Sequence, residues 1–446
     1  MDRTVDSAWL SRPRPRGWTG KLLPCAPLAA PSCIETRQVA RAAPFALVGL
    51  LTFALLAPTE LSLRLGPLRL SPYRVVLIAC FFPLLAAWLQ RRAGPLRTSD
   101  FALLGFALWG WLALAVDSGF AASIEPGGIL LVESFGAYLV GRVCVRGLDD
   151  WRRLTAVVSA ACVASLALSL PEMLSGKRLV HDALGAVFGG APNFVVEPRM
   201  GFARAFCTFD HPILNGVFGS TCLSLAWFGA GEPALRSHAP RTVLVAASAV
   251  TSLSSGALLS MAVQIALALY RRATRGVAAR WQLFTCALLA AYGLISALSS
   301  RSGLQALIWY LAMDRTTASY RLLIWEHGGA NVGAHPWFGI GRGDWERPEW
   351  MSASVDSFWL LTAMTYGLPA LVLLAVAVLS ALGAAGRRVQ SDRALDRARS
   401  GWIFAWIALI FAGFTVHYWN NVFAFLGLLL GAGVWMGERE RAQDAA

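Results

Sequence analysis

Charge is scarce in this sequence. Charged residues make up 15% of the 446-residue chain, against about 25% in an ordinary soluble domain. With 56% hydrophobic residues and a mean hydropathy of +0.54, that shortage excludes a disordered protein and an ordinary cytosolic enzyme. Lysine is nearly missing: of 39 basic residues only Lys21 and Lys177 are lysines. The net charge of +13 raises the question of nucleic acid, but the arginines sit between apolar segments. That is the pattern of membrane topology, and no nucleic-acid partner is expected. The eight cysteines, at 25, 33, 80, 144, 162, 207, 222 and 286, form no CxxC pair and mostly lie in apolar runs. No disulfide framework follows, which excludes a secreted disulfide scaffold. No His, Cys or Asp cluster has metal-ligand spacing, so neither a metal nor another cofactor is expected.

What is present is a series of long apolar runs. Residues 1–41 are rich in Pro and Arg and are broken by Pro24 and Pro27. They do not read as a secretory signal. The expectation is a disordered basic cytoplasmic tail, or a misassigned start. From residue 42 to 446 the chain reads as one membrane domain. Spans are predicted at 43–59, 72–90, 101–117, 127–145, 154–171, 212–230, 242–254, 256–270, 281–299, 357–385, 401–418 and 420–437. The fold class is therefore an all-α polytopic membrane protein with about 12 transmembrane helices. Arginines gather in alternate connections, at 91–97, 146–153, 236–241, 271–280 and 387–399, while the short loop 118–126 has none. By the positive-inside rule this puts both termini in the cytoplasm. Keeping that parity requires a break at Ser254-Ser255-Gly256, and Gly367-Leu368-Pro369 offers a kink in the overlong segment 357–385.

Two external loops, about 172–211 and 300–356, are far longer than the rest, and long loops in compact membrane proteins carry function. The first ends Arg204-Ala-Phe-Cys-Thr-Phe-Asp210-His211-Pro212 at the mouth of a span. Arg204 with helix N-terminal amides suits an anion. Asp210 or Thr208 could cap that helix, and the plainer reading gives Arg199 and Arg204 to lipid headgroups and makes Asp210 and His211 caps. The second loop is expected to contain short helices. It carries Arg301, Arg321, Arg342 and Arg347 interleaved with Trp309, Trp325, Trp337, Trp345 and Trp350. Aromatic faces and guanidinium forks together suit a ligand that is both sugar-like and anionic, although any single Trp also belongs at a membrane interface. In His335-Pro336-Trp337-Phe338-Gly339-Ile340-Gly341-Arg342-Gly343 the glycines suggest a tight loop with exposed amides. Asp356, at the start of the next span, is a candidate base or an N-cap. Glu133 is the clearest ionisable residue inside a span, either functional or paired with a loop arginine.

Three segments resemble the O-antigen ligase / O-antigen polymerase superfamily of bacterial inner-membrane proteins: RAFCTFDHPILNG at 204–216, YRLLIWEHGGANVGAHPWFGIGRGDW at 320–345 and SVDSFWLLTAMTYGLPALVLL at 354–374. The wording is most like an exopolysaccharide-biosynthesis branch that includes VpsF-like proteins. The resemblance implies a metal-independent glycosyltransferase that uses an undecaprenyl-pyrophosphate-linked glycan at the periplasmic face. Further implied partners are the bilayer and other polysaccharide-assembly membrane proteins. It assigns Arg204, Arg301, Arg321 and Arg342 to the pyrophosphate and Asp356, His335 or His211 to the base, while the aromatic faces of Trp325, Trp337 and Trp345 are expected against the glycan. Many ligases of the family have His-Asn where this chain has Asp356-Ser357. That difference favours polymerisation of repeat units over ligase-type transfer to another acceptor. A non-enzymatic export or scaffold role is the remaining alternative, and sparse polarity at the membrane midplane weighs against export.

Overall fold

The structure, a computed structural model, describes residues 45–66, 68–189, 196–229, 235–277, 279–298, 315–387 and 392–438. The predicted tail 1–41 lies outside the described residues, and so does one of the short helices expected in the second loop, from Leu304 to Met313. Fourteen helices follow in chain order. They are α1 (Phe45–Leu55), α2 (Pro72–Leu89), α3 (Thr98–Ser118), α4 (Phe120–Cys144), α5 (Leu148–Ser175), α6 (Leu179–Phe188) and α7 (Pro212–Phe228). Then come α8 (Leu235–Val250), α9 (Ser255–Ala273), α10 (Arg280–Leu298), α11 (Arg315–Ala334), α12 (Phe358–Gly386), α13 (Arg393–Ala412) and α14 (Asn420–Gly433). A hairpin of β1 (Leu63–Leu65) and β2 (Leu68–Leu70), which the sequence did not suggest, precedes α2. Among the described residues, seven helices are long and apolar enough to cross a membrane: α2, α3, α4, α5, α10, α12, and α14 with its final turn to Gly437. The chain is an all-α polytopic membrane protein. Each of the twelve predicted spans coincides with a helix, but α1, α7, α8, α9 and α13 are too short or too polar to meet that standard alone.

The core is made where small residues let helices approach. A Cβ on Gly141 of α4 would strike the backbone of α14 at Leu428, and one on Gly431 of α14 would strike Tyr138 of α4. Such close crossings are how helices associate without a hydrophobic driving force between them. Gly431→Leu is expected to abolish accumulation in the membrane fraction, as read by immunoblot, because the clash is with backbone and cannot be relieved by a rotamer change. At the end carrying the arginine-rich connections, Arg142 is fully buried. It donates to Asp100, to the Ala93 carbonyl and to Pro95 O at 2.8 Å, and lies 3.0 Å from Glu438. These bonds tie the connection at 93–97 to the C-terminal turn.

The break in α12 is real and is filled. Gly367 takes φ 82° inside the helix, a left-handed value that glycine tolerates. The loop 336–341 then supplies the missing partners: Ile340 N donates to Met364 O at 2.7 Å, Gly341 N to Thr365 O at 3.1 Å, and Pro336 O accepts from Leu368 N at 2.8 Å. The expectation that this glycine-rich loop offers free amides to a ligand is therefore corrected for Ile340 and Gly341. Their amides are consumed by carbonyls that the kink orphans.

Candidate functional site

At the opposite end of the bundle from Arg142, four sequence-predicted residues meet. Arg204, His211, Arg321 and Asp356 line one cavity of about 360 Å³, with Arg199, Glu197, Ser254 and Ser255 completing its polar wall. Arg204 and His211 arrive on the segment before α7. That segment is held by Glu172 of α5, whose two carboxylate oxygens accept from Phe206 N at 3.0 Å and Cys207 N at 2.8 Å. His181 of α6 bridges Glu60 Oε1 at 2.6 Å and Phe209 O at 2.9 Å. Since a carbonyl can only accept, Nε2 of His181 carries a proton. The turn between α8 and α9 supplies backbone acceptors: Ser252 O takes Arg204 Nε at 3.2 Å and Leu253 O takes Arg199 Nη1 at 2.9 Å.

Arg321 comes from α11. It is buried, 8% exposed, with one long bond from Nη2 to Ser255 Oγ at 3.4 Å. Its Nε finds no partner among the described residues. Burial disfavours the charged guanidinium, and nearby Arg199 adds to that, while Asp356 opposes it. Burial and Arg199 likewise lower Arg204, to about 10. At neutral pH both stay cationic, but both are held in surroundings that an anion would relieve.

Asp356 is half-buried and is not the cap of α12. Ser357 takes that role, accepting from Leu360 N at 3.4 Å, which leaves the Asp356 carboxylate to the cavity and to Ser354 Oγ at 3.3 Å. Neither Asp210 nor Thr208 caps α7. His211 does, its Nδ1 accepting from Ile213 N at 3.1 Å, and Asp210 accepts from Asn420 Nδ2 at 2.8 Å instead. Burial, with Arg204 beside it, lowers His211 to about 4, and burial alone lowers His417 to about 4.

These shifts carry a sign. Both imidazoles bind a proton less readily folded than unfolded, where the value is about 6.5. Stability is thus undiminished above pH 6.5 and is lost as pH falls from there toward 4. The melting temperature of detergent-solubilised protein is expected to drop across that window, and less steeply in His417→Gln. Equal slopes in the two proteins would contradict this.

The other predicted residues lie elsewhere. Arg301 lies outside the described residues. His335 is exposed just past the end of α11. Arg342 lines two neighbouring cavities and not this one. Trp345 is buried, with Nε1 donating to Ala353 O at 3.0 Å. Trp325 donates to Phe414 O at 3.2 Å and lines an apolar groove along α12. Trp337 is 67% exposed. These tryptophans do not share the arginine cavity. Glu133 pairs with Arg74 of α2 at 2.7 Å and with Tyr73 OH at 2.5 Å, not with a loop arginine. Sequence reasoning missed the carbonyls at 252–253 and the supporting Glu60, Glu172 and His181. Among the described residues, no group of three or more His, Cys, Asp or Glu is placed to hold a metal.

No curated protein matches the chain. The O-Antigen ligase family matches residues 242–375, from α8 through the break in α12. That range contains Ser254, Ser255, Arg321 and Asp356 of the cavity, while Arg199, Arg204 and His211 precede it. The chain is a polytopic membrane protein whose residues 242–375 match the O-Antigen ligase family.

Proposed function

We propose that this protein polymerises undecaprenyl-pyrophosphate-linked oligosaccharide repeat units at the periplasmic face of the inner membrane. The coarser statement, a membrane enzyme that transfers glycans in polysaccharide assembly, follows from the O-antigen ligase domain. Polymerisation over ligation is favoured by Asp356-Ser357 standing where many ligases have His-Asn, and the observation that carries the pyrophosphate site is Arg321. A buried guanidinium whose Nε is unmet among the described residues, facing a cavity shared with Arg199 and Arg204, is costly unless an anion occupies the site.

In this reading the arginines hold the donor's pyrophosphate. An acceptor hydroxyl attacks the anomeric carbon, the bond from that carbon to the phosphate oxygen breaks, and the pyrophosphate leaves with the bonding pair. Arg204 and Arg321 stabilise the charge growing on it. Asp356 takes the hydroxyl proton. His211 is the weaker base because its Nδ1 lone pair already serves the Ile213 amide. The family's name favours a second reading, ligase-type transfer, in which the same residues act and only the acceptor differs. Purified protein in liposomes, given a fluorescent lipid-linked repeat unit, tests the proposal. A ladder of carrier-linked oligomers supports polymerisation, and its absence with transfer to an added lipid acceptor supports ligation.

A further inference from the structure

A second cavity of about 410 Å³ opens at the same end of the bundle. The segment 416–420 separates the two, Val416 lining the first and His417 the second. Its polar wall is Arg74, Glu125, Glu133, Arg342, His417 and Asn420. Two guanidiniums face two carboxylates there, so the charges balance. In the arginine cavity, among the described residues, three guanidiniums face only Glu197 and Asp356. The second cavity is therefore a poor anion site and a suitable one for a neutral, polar group.

Two of its polar groups have unused capacity. His417 Nδ1 is buried and has no partner among the described residues. Glu133 receives both Tyr73 and Arg74 on Oε1, which leaves Oε2 without a hydrogen bond among those residues. The rings of Tyr366, Trp419 and Phe423 supply apolar faces beside them. Carboxylates, an imidazole and aromatic faces in one cleft are what a pyranose needs: acceptors for its hydroxyls and flat surfaces for its C–H faces. A chain of hydrogen bonds runs from the second cavity to Asp210, the chain neighbour of His211 in the first. Asp210 accepts from Asn420 at 2.8 Å, Asn420 Oδ1 from Arg74 Nη2 at 3.4 Å, and Glu133 from Arg74 Nε at 2.7 Å. Asp356 lines the first cavity and Phe358 the second, so the candidate base stands beside the boundary.

We propose that this second cavity binds the terminal sugar of the acceptor glycan, a neutral and hydroxyl-rich pyranose, apart from the donor's pyrophosphate. The name acceptor rests on the polymerase reading above; the sugar site itself rests on the cavity. The test is calorimetry on the full-length protein in detergent with two probes. One is inorganic pyrophosphate. The other is oligosaccharide released by partial acid hydrolysis from the organism's own polysaccharide. Removing a hydrogen-bonding partner is expected to weaken oligosaccharide binding about tenfold, in His417→Ala and independently in Glu125→Ala, with Arg321→Ala unaffected. Pyrophosphate should respond in the opposite way. Oligosaccharide binding that survives in both His417→Ala and Glu125→Ala, or is lost in Arg321→Ala, overturns the proposal. Oligosaccharide binding as expected, with pyrophosphate bound by none of the proteins, sinks the reading of the arginine cavity and leaves the sugar site standing.

Discussion

Arg321→Ala is expected to stop the formation of long polymer, with a loss of about 10²–10³ in turnover, the scale of removing one preorganised group that stabilises transition-state charge. The residue is unusual in how little it does for the fold. It is buried, yet among the described residues its one hydrogen bond is the 3.4 Å contact to Ser255 and its Nε is unmet. Removing a poorly compensated buried charge should leave the melting temperature unchanged or raise it. Activity and stability therefore part company, which separates a ligand-binding role from a structural one. Arg321→Lys should recover little, since a point charge cannot reproduce a guanidinium fork. The check is the oligomer ladder in liposomes beside a thermal melt of the same preparation. A variant that melts low and retains its per-molecule activity would show that Arg321 serves the fold instead.

The second large effect is at Asp356. Asp356→Asn keeps the shape and removes the base, and should lower turnover by about 10²–10⁴. Its neighbour provides the control. Ser357 caps α12, so Ser357→Ala should cost about 1 kcal/mol of stability and leave the chemistry of the surviving folded protein intact. Turnover per folded molecule, measured in both variants, decides the matter. Equal losses would mean that the two residues act together in setting the helix start and that neither is the base.

Much of the architecture was legible because it is written in periodicity and punctuation. The break before α9 follows from Ser254-Ser255-Gly256, and the kink in α12 from Gly367 and Pro369. The hairpin at 63–70 was not legible, since its strands are three residues each. The grouping of Arg204, His211, Arg321 and Asp356 could be guessed only as loop residues of matching chemistry. No spacing rule relates positions more than a hundred residues apart, and a chain that crosses repeatedly decides which loops meet. Backbone acceptors such as Ser252 O and Leu253 O carry no signature at all. Glu172 and His181 do: ionisable residues beside long apolar helices default to a functional question, and here they position the segment that carries Arg204. The glycine loop misled for a physical reason. Its amides look free in sequence, and the helix break that consumes them lies some twenty-five residues on.

The central claim is that the arginine cavity joins repeat units while they are carrier-linked. It is tested most directly by replacing the gene with its Asp356→Asn form and sizing the lipid-linked glycans extracted from the membrane. The account predicts single repeat units accumulating on the carrier with long polymer lost. Long polymer persisting on the carrier would contradict it and point to ligation or export.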